Sequence, residues 1–246
     1  MKVTIITATL NAAATVGDCV RSVAEQAGIE IEQLILDGGS TDGTLAAVRS
    51  CGSPLVRIHA EADAGVYHAF NRGLALAAGD FVAFLNADDQ YLPGALAAVA
   101  QAFTANPTVA CIHGNIEVNG HICRPRRGLF SLGGARIYHP ATFIRREALC
   151  QAGGFDTQFS IVADLDLFLR LRRRTSFLHL DQPLTRFALG GLSTRRFWRT
   201  QTEIRRVLLN NGYSQMAATG FVAADSIRSG LPVLCRRGMA IIRRPI

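Results

Sequence analysis

The chain has a single lysine and lacks paired cysteines and long apolar runs, and each of these two absences argues against a class of protein. Its six cysteines form no Cys-x-x-Cys pair, which argues against a zinc site. Since Met1-Lys2 leads straight into a short apolar segment, we expect no signal peptide and free thiols in a reducing cytoplasm. No run of about 18 apolar residues occurs, so we expect no membrane-spanning helix.

Two glycine-rich nucleotide signatures are also missing. The chain has neither the G-x-G-x-x-G fingerprint nor the Walker pattern, so neither a dinucleotide fold nor a P-loop is supported. With 246 residues, of which 49% are hydrophobic and 18% charged, the chain can bury a core and is not disordered as a whole. That length permits one large domain, or one domain with a tail.

The net charge of +7 conceals a strong asymmetry between the two halves. Residues 1–118 carry 5 basic and 12 acidic residues (net −7), whereas residues 119–246 carry 21 and 7 (net +14). The cations are nearly all arginine, which binds phosphate through paired N–H groups better than lysine does. Phosphorylated substrates, an anionic membrane face and nucleic acid are therefore candidate partners, although a merely solvated surface also explains many of these residues.

Apolar runs alternate with helical periodicity over the first hundred residues, which predicts a parallel sheet with right-handed crossovers. The predicted strands are Val3–Ala8, Ile31–Leu36, Leu55–His59 and Phe81–Leu85, and the clearest helices are Tyr67–Ala78 and Pro93–Phe103. The pattern then changes. We predict strands at Val109–Val118, Ala141–Ile144, Phe177–Leu180 and Leu184–Ala188, a loop at Asn119–Tyr138, and helices at Asp164–Arg173, Arg195–Asn210 and near Ala223–Arg228.

The chain is organised around the fourth strand, because this apolar run ends abruptly in Asp88 and Asp89. Ligands of open α/β sheets lie beyond the carboxyl ends of the strands. Mg²⁺ and Mn²⁺ prefer carboxylate oxygens and often share their coordination shell with substrate phosphates. The alternative is a turn that caps the helix beginning near Pro93.

The second strand likewise ends in Asp37, followed by Gly38-Gly39-Ser40-Thr41-Asp42-Gly43-Thr44. The glycines allow the backbone to approach a ligand closely, and Asp37 can accept hydrogen bonds from a nucleobase or ribose. A polar turn with a helix cap accounts for Ser40 to Asp42 equally well, but it does not explain a carboxylate directly after a buried strand.

With these stretches in place, the chain resembles the family 2 glycosyltransferases, inverting enzymes with the GT-A fold. Eight segments carry the resemblance, in order: Ile5–Ala12, Leu36–Thr44, Asp63–Gly73, Ala77–Asp80, Phe84–Asp89, His139–Arg146, Gly153–Asp156 and Asp164–Arg170. They cover roughly residues 1–192. The resemblance implies an α/β GT-A domain over 1–192, with a Rossmann-like mixed sheet and helices on both faces, and a basic helical C-terminal extension over 193–246. Within the domain, 1–118 would be the nucleotide-sugar half and 119–192 the acceptor half.

The resemblance also assigns roles in binding the donor. It places Thr7, Thr9 and Asp37 in the nucleoside pocket, and Asp63 and Arg72 in the segment that closes over the nucleotide. Asp88 and Asp89 match the metal-binding acidic motif, whose first position here is Asn86 instead of the usual aspartate. Asn86 can still coordinate or hydrogen-bond the ribose, so the resemblance counts it among the nucleotide-sugar-binding residues. The implied cofactor is Mn²⁺ or Mg²⁺. The implied donor is a nucleotide diphosphate sugar, with a UDP-sugar favoured.

Asp164 matches the catalytic base of the family, although Ala163 precedes it where many members have glutamate. A carboxylate at a helix N-terminus is stabilised in its ionised form, as a base requires; the alternative is a plain helix cap. For Asp166 we favour a charge in the first helical turn. His139 is expected to contact the diphosphate or the acceptor, with a packed loop histidine as the alternative.

These assignments predict an inverting transfer of one sugar to an acceptor hydroxyl, with a lipid-linked glycan of surface polysaccharide biosynthesis as the expected acceptor. A nucleotidyltransferase is an alternative, but the first strand lacks a following Gly-rich loop with Arg or Lys. A non-catalytic basic membrane- or polyanion-binding module is another. No nucleic-acid motif is found, so nucleic acid is not expected as a partner. Basic clusters beginning at Arg195 predict a cytoplasmic protein bound peripherally to the inner face of the plasma membrane.

Overall fold

The computed structural model describes residues 1–125, 137–189 and 196–226. Within them, nine strands form one sheet. The strands are β1 Lys2–Thr9, β2 Glu30–Asp37, β3 Val56–Ala60, β4 Phe81–Phe84, β5 Gln90–Tyr91, β6 Cys111–Val118, β7 His121–Cys123, β8 Thr142–Arg145 and β9 Phe177–Arg186. The helices are α1 Val16–Ala24, α2 Thr44–Ser50, α3 Val66–Leu76, α4 Ala95–Ala105, α5 Arg146–Gln151, α6 Ala163–Arg172 and α7 Phe197–Asn210. A 3₁₀ turn covers His139–Ala141, and residues 215–226 are helical. None of the described helices combines the length and apolarity needed to cross a bilayer.

The sheet is parallel on one side and mixed on the other. Its order is β3-β2-β1-β4-β8-β6-β9-β5, with β7 added to β6. Strands β3, β2, β1 and β4 run parallel, β8 is antiparallel to both β4 and β6, and β9 runs parallel to β6. The predicted α/β class with a mixed sheet is confirmed.

Alternation along β1 shows why both faces of the sheet are covered. Val3 and Ile5 belong to the apolar cluster that contains α1 and α4, whereas Ile6 belongs to the cluster that contains α3 and α6. Successive side chains of a strand point to opposite faces, so a strand buried on both faces must be apolar at every position that packs. The predicted helices on both faces are therefore confirmed.

The prediction of two short strands at Phe177–Leu180 and Leu184–Ala188 was wrong, because β9 is continuous through Pro183. Pro183 lies opposite Asn115, where the register with β6 shifts. A bulge accommodates a proline, which has no N–H to give to the ladder. Gly114 makes the close approach possible, since a Cβ there would lie 2.5 Å from the side chain of Leu184.

The predicted loop at Asn119–Tyr138 was wrong at its start. Val118 leads through Asn119 and Gly120, at φ 49° and 79°, into β7, which pairs back onto β6. Asn-Gly is a strong signal for a tight hairpin turn, because both positions tolerate positive φ. Residues 126–136 of that loop lie outside the described residues. Helix α5 was not predicted at all.

Helix α7 packs onto the domain through one apolar face. Ile204, Val207 and Leu208 are buried in the same cluster as Leu167 of α6. The predicted helix Arg195–Asn210 is confirmed from Phe197 onwards. The predicted domain boundary at residue 192 falls in 190–195, outside the described residues, as do Arg195 and the arginines after residue 226.

Candidate active site

One edge of the sheet collects the carboxyl ends of the parallel strands. Thr9 ends β1 and pairs in register with Asp37 at the end of β2. The N–H of Leu85, just past β4, still donates to the carbonyl of Ile6, so residues 86–89 leave the sheet at this same edge. Because β8 runs antiparallel to β4, the turn before β8, which carries His139, returns to this edge as well.

Asp37 is buried, and its carboxylate is saturated by its own surroundings. Oδ1 accepts hydrogen bonds from Thr9 Oγ1 at 3.0 Å and Ser40 Oγ at 2.5 Å, and Oδ2 accepts from the N–H groups of Gly39 and Ser40 at 3.1 and 2.9 Å. Burial alone would raise the pKa of Asp37, but these bonds, led by that of Ser40, outweigh it and lower the pKa. Asp37 is therefore an ionised anchor that shapes the loop after β2.

Two neighbouring loops lock onto this anchor. Asn11, after β1, accepts the N–H of Thr41 on its side-chain oxygen at 2.9 Å, and its own N–H donates to Ser40 Oγ at 2.9 Å. In the loop after β3, the carboxylate of Asp63 packs over Gly38, where a Cβ would lie only 3.1 Å away. The structure thus brings together Thr9 and Asp37, predicted for the nucleoside pocket, and Asp63, predicted for the segment that closes over the nucleotide.

Thr7 and Arg72 occupy less direct positions. Thr7 is fully buried and accepts a hydrogen bond from Gln33 Nε2 at 3.2 Å, so it lies beneath the edge. Arg72 uses Nη1 for the carbonyl of Glu61 at 3.1 Å and for its carboxylate at 3.3 Å. Its Nε and Nη2 are buried and have no hydrogen-bond partner among the described residues. Arg72 therefore keeps two charged N–H donors that no described residue accepts.

The acidic pair divides into one exposed and one buried carboxylate. Asp88 is exposed, and no described residue hydrogen-bonds its carboxylate. Asp89 is fully buried, with Oδ1 accepting the N–H of Ala188 at 2.9 Å and Oδ2 accepting Asn86 Nδ2 at 3.0 Å. Burial raises the pKa of Asp89 to about 7 against the hydrogen bond from Ala188, and the charge of Asp88 adds to the rise.

Asp164 lies in the first turn of α6, as the predicted helix at Asp164–Arg173 implies. Its side chain is 26% exposed. Oδ1 accepts the N–H of Leu165 at 2.8 Å and lies 3.4 Å from the hydroxyl of Tyr67. Oδ2 lies 3.6 Å from Nδ1 of His139. It is not a plain N-cap, because the capping position belongs to Val162.

His139 connects the two carboxylate regions. Burial lowers the pKa of its imidazole, while the charges of Asp164 and then Asp88 act in the opposite direction. Its Nδ1 lies 3.6 Å from Oδ2 of the candidate base, at the edge of the sheet where Asp88 also lies. Asp166, in contrast, faces inward and accepts hydrogen bonds from Arg170 Nε at 2.7 Å and Asn211 Nδ2 at 2.8 Å. It lies in the first turn of α6, as predicted, and it is buried there with a structural role.

Two residues of this region escaped sequence reasoning. Tyr67 donates its hydroxyl to the carbonyl of Ile161 at 2.8 Å, and Glu203 of α7 accepts Ser160 Oγ and the N–H of Ile161, both at 2.8 Å. Tyr67 lies within the family segment Asp63–Gly73. Its aromatic ring indicates core packing, so nothing in the sequence indicates the hydrogen bond that its hydroxyl makes. No local pattern links Glu203 to a segment 42 residues earlier.

The side chains at this edge of the sheet include oxygen ligands of the kind that a divalent metal ion prefers. The exposed carboxylate of Asp88 offers hard oxygen ligands, whereas both oxygens of Asp89 are already engaged. Within the described ranges no group of three or more His, Cys, Asp or Glu residues is arranged to hold a metal. The residues present therefore fit an ion that one carboxylate holds and that takes its remaining ligands from phosphate and water.

Comparisons with known proteins agree with this geometry. The model of the protein family described as "Glycosyl transferase family 2" matches residues 4–179 of this chain. The chain belongs to glycosyl transferase family 2. A PGL/p-HBAD biosynthesis glycosyltransferase of Mycobacterium tuberculosis is 34% identical over 181 residues, which cover 68% of each chain. The predicted family and the predicted enzyme class, a glycosyltransferase, are confirmed.

Two solved structures show the fold of this family 2 glycosyltransferase. S. aureus TarS 1-349, in complex with UDP-GlcNAc, has a TM-score of 0.69 at 19% identity and covers 91% of this chain and 71% of its own. The mannosyltransferase PcManGT from Pyrobaculum calidifontis, in complex with GDP-Man and Mn²⁺, has a TM-score of 0.70 at 20% identity and covers 97% and 79%. The two proteins bind different nucleotides, so the fold alone does not select the base.

Proposed function

We propose that this glycosyltransferase moves a sugar, with inversion, from a nucleotide diphosphate sugar to a hydroxyl of a growing glycan. The observation that carries the proposal is the arrangement at one edge of the sheet of two carboxylates: Asp164, whose Oδ2 lies 3.6 Å from Nδ1 of His139, and Asp88, which is exposed in the segment after β4. A base for the acceptor and an anchor for the diphosphate thus flank one site, as a single displacement requires.

In the proposed reaction, Asp164 takes the proton of the acceptor hydroxyl as that oxygen attacks the anomeric carbon. The bond from oxygen to the sugar forms on one face while the bond to the diphosphate breaks on the other. The nucleoside diphosphate leaves with the electron pair. Arg72 contributes its two unpaired N–H donors to the diphosphate, and the loop anchored by Asp37 and Asp63 holds the nucleoside.

The cofactor proposal is a divalent cation, Mn²⁺ or Mg²⁺, held by Asp88. Such an ion would supply positive charge to the leaving diphosphate. Asp89 supports the acidic segment from behind through Asn86 and Ala188. Support comes from PcManGT, which binds Mn²⁺ and GDP-Man, and from TarS, which binds UDP-GlcNAc. We keep a UDP-sugar as the favoured donor.

For the acceptor, we propose a lipid-linked glycan of a surface polysaccharide. Support comes from the printed names of relatives, among them the PGL/p-HBAD biosynthesis glycosyltransferase and an O-antigen biosynthesis protein of Myxococcus xanthus. We expect the acceptor to approach Oδ2 of Asp164, because Oδ1 accepts the N–H of Leu165 at 2.8 Å and also lies 3.4 Å from the hydroxyl of Tyr67.

The deciding experiment is calorimetric binding of UDP, dTDP and GDP, each with and without Mn²⁺, to the wild type and to Asp88→Ala. We expect one nucleotide to bind only with the metal, and Asp88→Ala to weaken that binding by at least about tenfold. Glu147→Gln is the matched control, since Glu147 is an exposed carboxylate on α5, which follows the far end of β8. Metal-dependent binding that survives in Asp88→Ala, or no nucleotide binding at all, would contradict the proposal.

We also propose that the outer face of α7 rests on an anionic membrane surface, at the cytoplasmic side. Trp198 is 75% exposed, and Arg199, Arg205 and Arg206 are exposed on the same helix. Tryptophan and arginine together suit a lipid–water interface with anionic headgroups. Flotation with anionic and neutral vesicles at low and high salt tests this proposal. Binding should need anionic lipid and fall in Trp198→Ala, whereas absence of binding at low salt would overturn it.

A further inference from the structure

His139 approaches Asp164 with one ring nitrogen and buries the other. Nδ1 lies 3.6 Å from Oδ2 of Asp164, and Nε2 is buried without a hydrogen-bond partner among the residues the structure describes. A neutral imidazole has one N–H and one lone pair, and a facing carboxylate favours the N–H on the nitrogen nearest to it. At 3.6 Å the contact is an electrostatic approach, longer than a hydrogen bond, and it favours the hydrogen on Nδ1 and the lone pair on Nε2.

The surroundings of the ring disfavour a second proton. The ring of Phe70 lies 6.4 Å from the imidazole, centroid to centroid. Protonating Nε2 would bury an N–H with no acceptor, which costs free energy, and burial accordingly lowers the pKa of His139 even though Asp164 and Asp88 favour the cation. A neutral ring with its hydrogen on Nδ1 cannot donate to a phosphate oxygen through Nε2.

The backbone around His139 is fixed from two sides. Thr185 of β9 donates its hydroxyl to the carbonyl of Pro140 at 2.8 Å, and Thr142 of β8 donates to the carbonyl of Tyr138 at 2.7 Å. Both threonines are fully buried. The imidazole is thus presented to Asp164 by a rigid turn, which is what a residue that orients another group needs.

The two oxygens of Asp164 are held differently. Oδ1 accepts the N–H of Leu165 at 2.8 Å and faces Tyr67, whose hydroxyl proton is directed to the carbonyl of Ile161 at 2.8 Å. Oδ2 is approached, among the described residues, by His139 alone. A carboxylate oxygen has two acceptor directions, so Oδ2 can face His139 with one and the attacking hydroxyl with the other.

We propose that His139 is a positioning residue of the transfer reaction, whose Nδ1–H holds Oδ2 of Asp164 toward the acceptor hydroxyl. This inference rests on the proposed function, because it takes Asp164 as the base. It departs from the role that the family resemblance implies for His139, contact with the diphosphate or the acceptor. In this arrangement the residue acts on the base and leaves nucleotide binding to Asp88, Arg72 and the loop of Asp37.

The tautomer is measurable without any substrate. In ¹⁵N-histidine NMR spectra of the whole chain near neutral pH, the His139 signals, assigned by their loss in His139→Asn, should report a neutral ring with hydrogen on Nδ1. Asp164→Asn should shift the Nδ1 signal. A ring with hydrogen on Nε2, or a Nδ1 signal indifferent to Asp164→Asn, would overturn the inference.

Two amide substitutions separate the ring nitrogens by their function. The side-chain nitrogen of asparagine occupies roughly the place of Nδ1, and that of glutamine roughly the place of Nε2. We expect His139→Ala to lower kcat about tenfold to a hundredfold with an unchanged Kd for the nucleotide and Mn²⁺. His139→Asn should recover part of the loss, and His139→Gln should not.

The opposite pattern has a clear meaning. Recovery by glutamine and not by asparagine, or a nucleotide Kd that weakens as much as kcat falls, would show that His139 acts on the donor and would overturn the inference. A wild type that binds no nucleotide would instead refute the proposed function, while the NMR experiment still decides which nitrogen carries the hydrogen.

Discussion

Asn86 Nδ2 donates a hydrogen bond of 3.0 Å to Oδ2 of Asp89, and this contact gives the two carboxylates of the acidic pair different tasks. It holds Asp89 inside the protein, where its other oxygen accepts the N–H of Ala188. Asp88 is left facing outward. Asparagine at the first position of the motif therefore serves as the internal partner of the last one.

Substituting Asp89 by asparagine should flatten the pH dependence of stability. The pKa of Asp89 is raised from 3.8 to about 7 in the folded protein. Between these values the folded chain holds a proton that the unfolded chain has lost, so stability is greatest below about pH 4 and falls as the pH rises to about 7. The shift corresponds to about 4 kcal/mol.

Urea unfolding of the metal-free wild type and Asp89→Asn at pH 5 and pH 8 measures this dependence. The variant should gain stability relative to the wild type on going to pH 8, since it buries no charge. Equal changes in both proteins would mean that Asp89 does not hold this proton.

Asp164 and Asp166, two residues apart, should respond oppositely to the loss of their carboxylates. Asp164→Asn removes the proposed base, so kcat should fall by about 10² to 10⁴ while the free energy of unfolding changes by less than about 1 kcal/mol. Asp166→Ala removes the acceptor of Arg170 Nε and Asn211 Nδ2 and should cost about 3 kcal/mol, although both side chains keep backbone carbonyls as partners. Parallel kinetics and denaturant unfolding test both, and an active Asp164→Asn protein would exclude it as the base.

Two adjacent glycines offer a controlled test of how the turn before Phe155 is packed. Gly153 and Gly154 both have positive φ, at 77° and 68°, but a Cβ on Gly154 would lie 2.6 Å from Oδ1 of Asn71, whereas one on Gly153 meets nothing within 4 Å. Gly153→Ala should therefore cost about 1 kcal/mol for its backbone conformation. Gly154→Ala should cost clearly more, because Asn71 also bonds both polar groups of the Phe155 backbone. Thermal unfolding of the two variants checks the order, and equal losses would contradict it.

Glu203 should matter for both stability and rate. It is buried and accepts two hydrogen bonds from Ser160 and Ile161, so Glu203→Ala should cost about 2 to 4 kcal/mol. The loosened segment also carries the carbonyl that holds Tyr67, so kcat should fall in protein that remains folded. Arg199→Ala is the control, because it removes only a half-exposed ion pair with Glu203 at 3.3 Å and should cost about 0.5 kcal/mol. Similar losses in both variants would refute the role of Glu203.

The parts of the fold that follow from local pattern could be predicted from sequence. The alternating apolar runs predicted the parallel strands, and the carboxylates after β2 and β4 predicted the edge where Asp37 and Asp88 lie. The inward turn of Asp89 could not be predicted, because it depends on Ala188, which is 99 residues away. The continuity of β9 through Pro183 depends on Gly114 in another strand, and the inward position of Asp166 depends on Asn211 in the loop after α7. Such contacts leave no periodic trace along the chain.

The grip of Glu203 on Ser160 and Ile161 also sets how much of the chain an engineer has to keep. A fragment that ends at residue 179, where the family match ends, would retain all eight segments of the family resemblance. Without Glu203, however, it would lose the hydrogen bonds that hold the segment leading into Asp164. Removing α7 would also expose the apolar surface of α6 that now packs against Ile204, Val207 and Leu208. The segment that carries the family motifs is therefore shorter than the segment that folds as a unit. A chimera built from the motifs alone would contain the carboxylates but not the hydrogen bonds of Glu203 that keep them in place.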